Sequence, residues 1–335
     1  MKVKYYPNQP HCFAFGGFDM QMLNALRAVR GNNIDAEKLD IWSRDQDFDI
    51  LHLWGIGPHN FNVINWAKKS NKNLVATVLL PYFNTLREKL SYCKHYLTHQ
   101  QKKLLHFYSL IDKIVVVNEM QADVLSGFYK VSREKINIIP NIVEDQYFKT
   151  PDFNFVEKYK IANYILCTGN ISPRKNQLNL MRACINLKIS LVLIGKCLDG
   201  EREYGKSLEL TMKDCSNILW IKELERGSME LVSSYFFCRA FALPSNDETQ
   251  PISALEATAM NKPLILQDRG YAKQKYYSNS ILCKNGTPSE IEKALSLLLK
   301  DTNHRKYNEC ILDCTERNVG LKYIEVYNEI CNFRK

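Results

Sequence analysis

The sequence predicts an α/β fold of two doubly wound halves facing across a cleft, and three observations point there. Short apolar strands alternate with helical stretches along the chain, the pattern of a parallel sheet with crossover helices. At 335 residues the chain is too long for one ordinary core and suits two domains of roughly 150 residues each. The strands end in turns carrying glycine, proline or charge, where ligands of such sheets lie.

VKYY opens the first half as a weak strand, and the loop HCFAFGGFDMQML follows it. Met20, Leu23, Leu26 and Val29 then recur at helical spacing up to Gly31-Asn32-Asn33. Glycines between a strand and a helix let the backbone approach a ligand closely. Gly16 and Gly17 are candidates for that reason, with a plain turn as the other reading. Asp49–Trp54 is the next strand, ending in Gly55-Ile56-Gly57-Pro58-His59, and Asn73–Leu80 is a further buried one. His52 and His59 are thereby candidate ligand contacts, against the alternative of a satisfied core or loop histidine. KIVVVN and INIIPNIVEDQYF complete this half.

The second half begins with the strand Tyr164–Gly169 and the loop NISPRKNQ, and its first helix turns Leu178, Met181, Cys184 and Ile185 inward. Leu191–Gly195 and Ile218–Ile221 are strands, Ser228–Phe237 is a helix, and Ala240–Leu243 is a buried strand. A polar turn, Pro244–Gln250, leads to a helix opening at Pro251 and then to the strand Pro263–Leu266. Proline suits the first helical position, because its missing N–H would be unpaired there anyway. Ile252, Leu255, Ala259 and Met260 fall near one face. Glu248 stands just before this helix and Glu256 within it. A strand, a polar turn and a helix N-terminus form a ready place for an anion. The plainer reading is that Glu248 favours the helix dipole and Glu256 is solvated.

Arg174 and Lys175 precede a helix, where cations lose a few tenths of a kcal/mol up to ~1 apiece to the macrodipole. A phosphate docked there would convert the misplacement into charge-assisted hydrogen bonding. A solvent-facing basic loop is the alternative. From Ile291 onward the tail is helical, and Lys322–Phe333 is amphipathic through Ile324, Val326, Tyr327 and Ile330.

Apolar residues make up 45% and charged residues 24%, as in soluble globular proteins. No run of eighteen apolar residues predicts a transmembrane helix, and the first residues lack a signal-peptide core. Eleven scattered cysteines without C-x-x-C fit a reducing cytoplasm, with Cys310 and Cys314 as packing residues. The net charge of +9 permits nucleotides, lipid headgroups or nucleic acid as partners. Nucleic acid is set aside, because no aromatic-basic interleaving or known module supports it. Residues 86–108 carry Arg87, Lys89, Lys94, Lys102 and Lys103 against the single acid Glu88, among leucines and aromatics. Such a segment suits an anionic membrane surface or a solvated basic helix face.

The string PSNDETQPISALEATAMNKPLI resembles the E-x7-E segment of the retaining, nucleotide-sugar-dependent glycosyltransferases of family 4, over about twenty residues. That family has the GT-B architecture, two Rossmann-like domains. GNISPRKNQ resembles its G-R-L-S-x-E-K-G loop, IIPNIVEDQYF its P-N-G-V-D-x-x-x-F closing motif, and Gly16-Gly17 its GG loop beside the donor phosphates. The resemblance implies an acceptor-side domain at residues 1–150, a linker near 145–160, a nucleotide-sugar domain at 151–315, and a helix at 316–335 crossing back to the first domain.

The resemblance also implies roles. Lys175 would neutralise the donor diphosphate, and Arg174 would supply the cation missing at Asn170, where the family has arginine. Glu248 would face the transferred sugar and Glu256 would hold the ribose hydroxyls. Backbone amides around Thr249, Gln250 and Ile252 would stabilise the leaving diphosphate. No metal and no cofactor is implied. The chain departs from the family at Ile142 and Glu144 of the closing motif, at Thr249 and Gln250, and at Leu79-Leu80-Pro81, where many members carry a sugar-contacting histidine. His52 or His59 would take that contact. The expected activity is sugar transfer from a nucleoside-diphosphate sugar to a glycan or lipid-linked acceptor, in cell-surface polysaccharide or glycolipid synthesis in the cytoplasm. A catalytically silent nucleotide-sugar binder and an epimerase of the same fold are the alternatives.

Overall fold

The computed structural model describes residues 1–13, 16–80, 99–300 and 306–332. The chain divides into two compact units, Met1–Ile142 with Asp313–Lys335, and Val143–Leu312.

In the first unit β1 (Lys2–Tyr6), β2 (Asp35–Lys38), β3 (Ile50–Trp54), β4 (Asn73–Thr77), β5 (Lys113–Val116) and β6 (Ile136–Ile138) form one sheet in the order β2-β1-β3-β4-β5-β6. All of its neighbours run parallel. Every residue of β3 and β4 is buried, as expected of central strands covered on both faces. β2 is an addition to the sequence reading. DAEK has no apolar alternation, and it is drawn in as an edge strand against β1, with Lys4 paired to Glu37.

The helix Gly17–Gly31 lies against Glu316–Asn332, so the end of the chain completes the core of its beginning. Met22, Ala25, Leu26 and Val29 meet Val319, Tyr323, Val326, Tyr327 and Ile330 in one buried cluster. Only glycine fits at position 320, since a Cβ there would lie 2.7 Å from the Ala28 carbonyl oxygen. Of the basic segment 86–108, residues 86–98 fall outside the described residues. The remainder enters the helix His99–Leu110.

The second unit repeats the plan with β7 (Ile165–Thr168), β8 (Leu191–Ile194), β9 (Ile218–Ile221), β10 (Ala240–Leu243), β11 (Leu264–Gln267) and β12 (Ile281–Cys283). The order is β12-β11-β10-β7-β8-β9, again parallel. Both sheets reverse direction once, between β1 and β3 and between β7 and β10. Open α/β sheets bind ligands outside the carboxyl ends of the strands at that reversal. In the second unit, these ends are Thr168-Gly169 and Leu243-Pro244. Among the described residues no helix is long and apolar enough to cross a membrane.

Candidate functional site

Two loops leave the reversal point of the second sheet side by side, Gly169–Asn176 after β7 and Pro244–Pro251 after β10. The first turns sharply at Gly169, whose φ of +127° is open to glycine and strained for other residues. Gly195, at the end of β8, leaves room for it, since a Cβ there would stand 2.1 Å from the Gly169 carbonyl oxygen. The loop closes with a 3-10 turn, Pro173–Lys175, and the left-handed Asn176. Asn176 is buried and donates to the carbonyls of Gly286 (2.7 Å) and Pro244 (3.2 Å), which ties the two loops together. The Asn246 N–H donates to the Arg174 carbonyl at 2.8 Å, and the Ser245 hydroxyl donates to that same carbonyl at 3.0 Å.

These ties bring Arg174, Lys175 and Glu248 together. Lys175 Nζ is 2.6 Å and Arg174 NH1 2.9 Å from the same carboxylate oxygen, Glu248 Oε1. Ser245 Oγ also reaches that oxygen, at 3.1 Å. Lys175 and Glu248 are nearly buried, with side chains 13% and 10% exposed, while Arg174 is half exposed at 50%. Burial works to raise the Glu248 carboxyl, but Lys175 and then Arg174 outweigh it and hold its pKa below the usual range. One carboxylate therefore faces two cations. Burial pushes the thiol of Cys167, in β7, up to about 12.

The helix Ile252–Ala259 starts beside this cluster, with Pro251 as its N-cap rather than its first residue. Ile252 is half-buried at that start. Gln250 is buried and bonded through Nε2 to Gln274 Oε1 at 2.8 Å, and the Thr249 carbonyl accepts from Gln274 Nε2 at 2.8 Å. Gln274 thus fixes the approach to the helix. Glu256 lies inside, 7% exposed, and accepts from the Tyr235 hydroxyl at 2.7 Å. Burial raises its pKa, opposed by Arg226 and by the Tyr235 hydrogen bond. Asn170 is exposed, its carbonyl accepting from Gln177 Nε2 at 3.0 Å.

The other four candidates belong to the first unit. Gly16 caps the helix Gly17–Gly31, its N–H donating to Asp19 Oδ2 at 2.9 Å, with open space where a Cβ would stand. Gly17 is exposed as the first helical residue. His59 is exposed on the 3-10 turn Pro58–Asn60, and partial burial lowers its pKa. His52 is a correction to the sugar-contact expectation, because it points into the core. Its Nδ1 pairs with the Tyr327 hydroxyl at 2.7 Å and its Nε2 with Thr77 Oγ1 at 2.8 Å. It is fully buried, and burial drives its pKa down to about 3. Both ring nitrogens are committed, which leaves none for a ligand.

Sequence reasoning missed Ser245, Asn176 and Tyr235. Each acts across strands that are distant in the chain, and only the β7–β10 adjacency brings it in. The one usable signal was asparagine just ahead of a helix, a residue tolerant of left-handed backbone.

Two parallel six-stranded sheets, with a cation-and-carboxylate cluster at a reversal point, define a GT-B type protein. The family description Glycosyltransferase Family 4 matches residues 20–147, and Glycosyl transferases group 1 matches residues 148–310. The chain belongs to this glycosyltransferase family. It is 30% identical over 165 residues to the O-antigen chain mannosyltransferase RfbU of Salmonella typhimurium, a match taking in 46% of this chain and 42% of that protein. The chain thus spans less than half of the length of that curated relative. A glycosyltransferase from Rickettsia africae superposes with a TM-score of 0.72 at 16% identity, covering 98% of each chain. Sucrose-phosphate synthase from Thermosynechococcus elongatus gives 0.74 at 12%, covering 99% of this chain and 100% of that one. Anabaena Alr3699/HepE, solved with UDP and glucose, gives 0.69 at 13%, covering 99% of both. These structural likenesses establish the fold.

Proposed function

We propose that this protein moves a sugar from a nucleoside-diphosphate sugar to a glycan or lipid-linked acceptor, with retention and without a metal, in cell-surface polysaccharide or glycolipid synthesis. The observation that carries the reading is the convergence of Lys175 and Arg174 on one oxygen of Glu248, beside a helix start. A donor diphosphate brings the negative charge that the two cations and the helix amides would stabilise. As the bond from the anomeric carbon to the diphosphate oxygen breaks, Lys175 and Arg174 take up the charge that develops on the leaving group. The acceptor hydroxyl forms the new bond, and its proton passes to the leaving diphosphate. Glu248 faces the sugar and Glu256 the ribose. Gly16 and Gly17 remain candidates beside the donor phosphates, and His59 remains a candidate sugar contact.

Incubation with UDP-, GDP-, ADP- and CDP-sugars, read as release of the nucleoside diphosphate, tests the proposal. Turnover of one donor, lost in Lys175→Ala, is expected. No release from any donor, with tight nucleotide binding, would favour a silent binder. The same reading puts the enzyme on the cytoplasmic side of a membrane, held through residues 86–108. Sedimentation with anionic vesicles, weakened by salt, is the expected sign.

A further inference from the structure

A buried polar chain in the second unit runs from the sheet to Glu256, and its other members have no place in the reaction outlined above. Thr168, the last residue of β7, lies with its Oγ1 2.5 Å from the Tyr235 hydroxyl. That hydroxyl donates to Glu256 Oε2 at 2.7 Å. Since Tyr235 gives its single proton to the carboxylate, Thr168 is the donor in the first pair. The tyrosine ring is fully buried, stacked on Phe241 of β10 at 5.6 Å and 14°, and met edge-on by Tyr147 at 5.3 Å and 88°. It has no room to swing away. Burial, and then the charge of Glu256, push its phenol well above the ordinary range, so it stays a donor at neutral pH. Tyr147, on the 3-10 turn Asp145–Phe148, buries its hydroxyl close enough to Glu256 for the two to interact.

A glutamate has several rotatable bonds, and an unanchored carboxylate loses that freedom when it grips a ligand. Fixing it beforehand removes this cost from binding. The geometry points to Tyr235 as a positioning residue for the nucleotide: it holds one oxygen of Glu256 and thereby aims the other at the ribose hydroxyls. This rests on the ribose role given to Glu256 above. Thr168 completes the chain from the sheet, which makes the anchor part of the rigid core rather than of a loop.

The test uses the full chain and calorimetry. UDP, GDP, ADP and CDP are compared, and the tightest is then set against its 2′,3′-dideoxy form. The unaltered protein is expected to prefer the ribose form by about tenfold or more, equivalent to about 1.4 kcal/mol. Tyr235→Phe keeps the ring packing and is expected to bring that preference within about threefold, leaving affinity for the dideoxy form unchanged. In a Glu256→Gln background the same change should have no further effect. If Tyr235→Phe weakens both nucleotides equally, or leaves the preference intact, the positioning role is overturned. Indifference of the unaltered protein to the ribose hydroxyls, or a preference that survives Glu256→Gln, overturns the ribose assignment itself. Should Tyr235→Phe lose its near-ultraviolet dichroism, Thr168→Val replaces it. A smaller loss of the same preference then supports the role, and no loss overturns it.

Discussion

Lys175 and Arg174 touch the same oxygen but are not equivalent. Lys175 is largely buried and packs over Gly169, whereas Arg174 is half in solvent and shares its guanidinium with the Asp247 carbonyl. A buried charge acts through a lower effective dielectric and is less screened. Lys175→Ala is therefore expected to reduce turnover by more than about tenfold, and Arg174→Ala by a smaller factor, in steady-state assays at matched folding. Survival of activity within about threefold in Lys175→Ala would place the diphosphate elsewhere. These two residues and Glu248 were singled out because the strings around them, GNISPRKNQ and PSNDETQPISALEATA, resemble the family's motifs. Their supports were not. Ser245 donates to the Arg174 carbonyl and Asn176 to the Pro244 carbonyl, from loop to loop after neighbouring strands, and no local pattern announces a bond of that kind. His52 was legible only as two alternatives, and the fold selects the core one through Tyr327, which lies 275 residues further along the chain.

Between elements, the same histidine is a joint. Tyr5 of β1, His52 of β3 and Thr77 of β4 are joined to the helix Glu316–Asn332 through Tyr327 and Tyr323. Alternation and apolar runs predict that such strands and helices exist, but say nothing of a polar chain stitching them. For the same reason β2 and β12 went unread: DAEK and ILC are short, and pairing at an edge decides them. The joint has a consequence in pH. His52 titrates near 3 when folded against 6.5 as a free side chain. Below pH 6.5 the unfolded chain takes up a proton that the folded chain refuses until about pH 3, so the contribution is complete above pH 6.5 and drains away as pH falls through that window. At about 1.4 kcal/mol per pH unit the loss amounts to a few kcal/mol. Urea unfolding at stepped pH is expected to give a steep decline for the unaltered protein and a shallower one for His52→Gln. Parallel slopes for the two would mean that other groups set the pH dependence.

At the scale of the whole chain, the last residues belong to the first unit and the middle to the second. The alternation of strands and helices made two halves readable, and the amphipathic tail was readable as a helix. The tail's buried face was not fully anticipated, since Val319 and Gly320 precede the stretch singled out by periodicity. Removing residues 313–335 would expose Met22, Leu26 and Val29 and delete Val319, Tyr323, Val326, Tyr327 and Ile330 from one core. Burial of a large apolar side chain is worth about 1.5–3 kcal/mol, and a domain holds only about 5–15 kcal/mol of net stability. The first unit is therefore expected to lose its fold on truncation at 312. The second unit keeps its sheet, its loops and the whole Arg174–Lys175–Glu248–Glu256 set. Hydrogen exchange on the truncated chain should show residues 1–142 unprotected and 143–312 protected, and calorimetry should still detect nucleoside diphosphate binding. Uniform loss of protection across both segments would mean that the second unit depends on the first for its own stability. Uniform retention would mean that the tail contributes little to the core it covers.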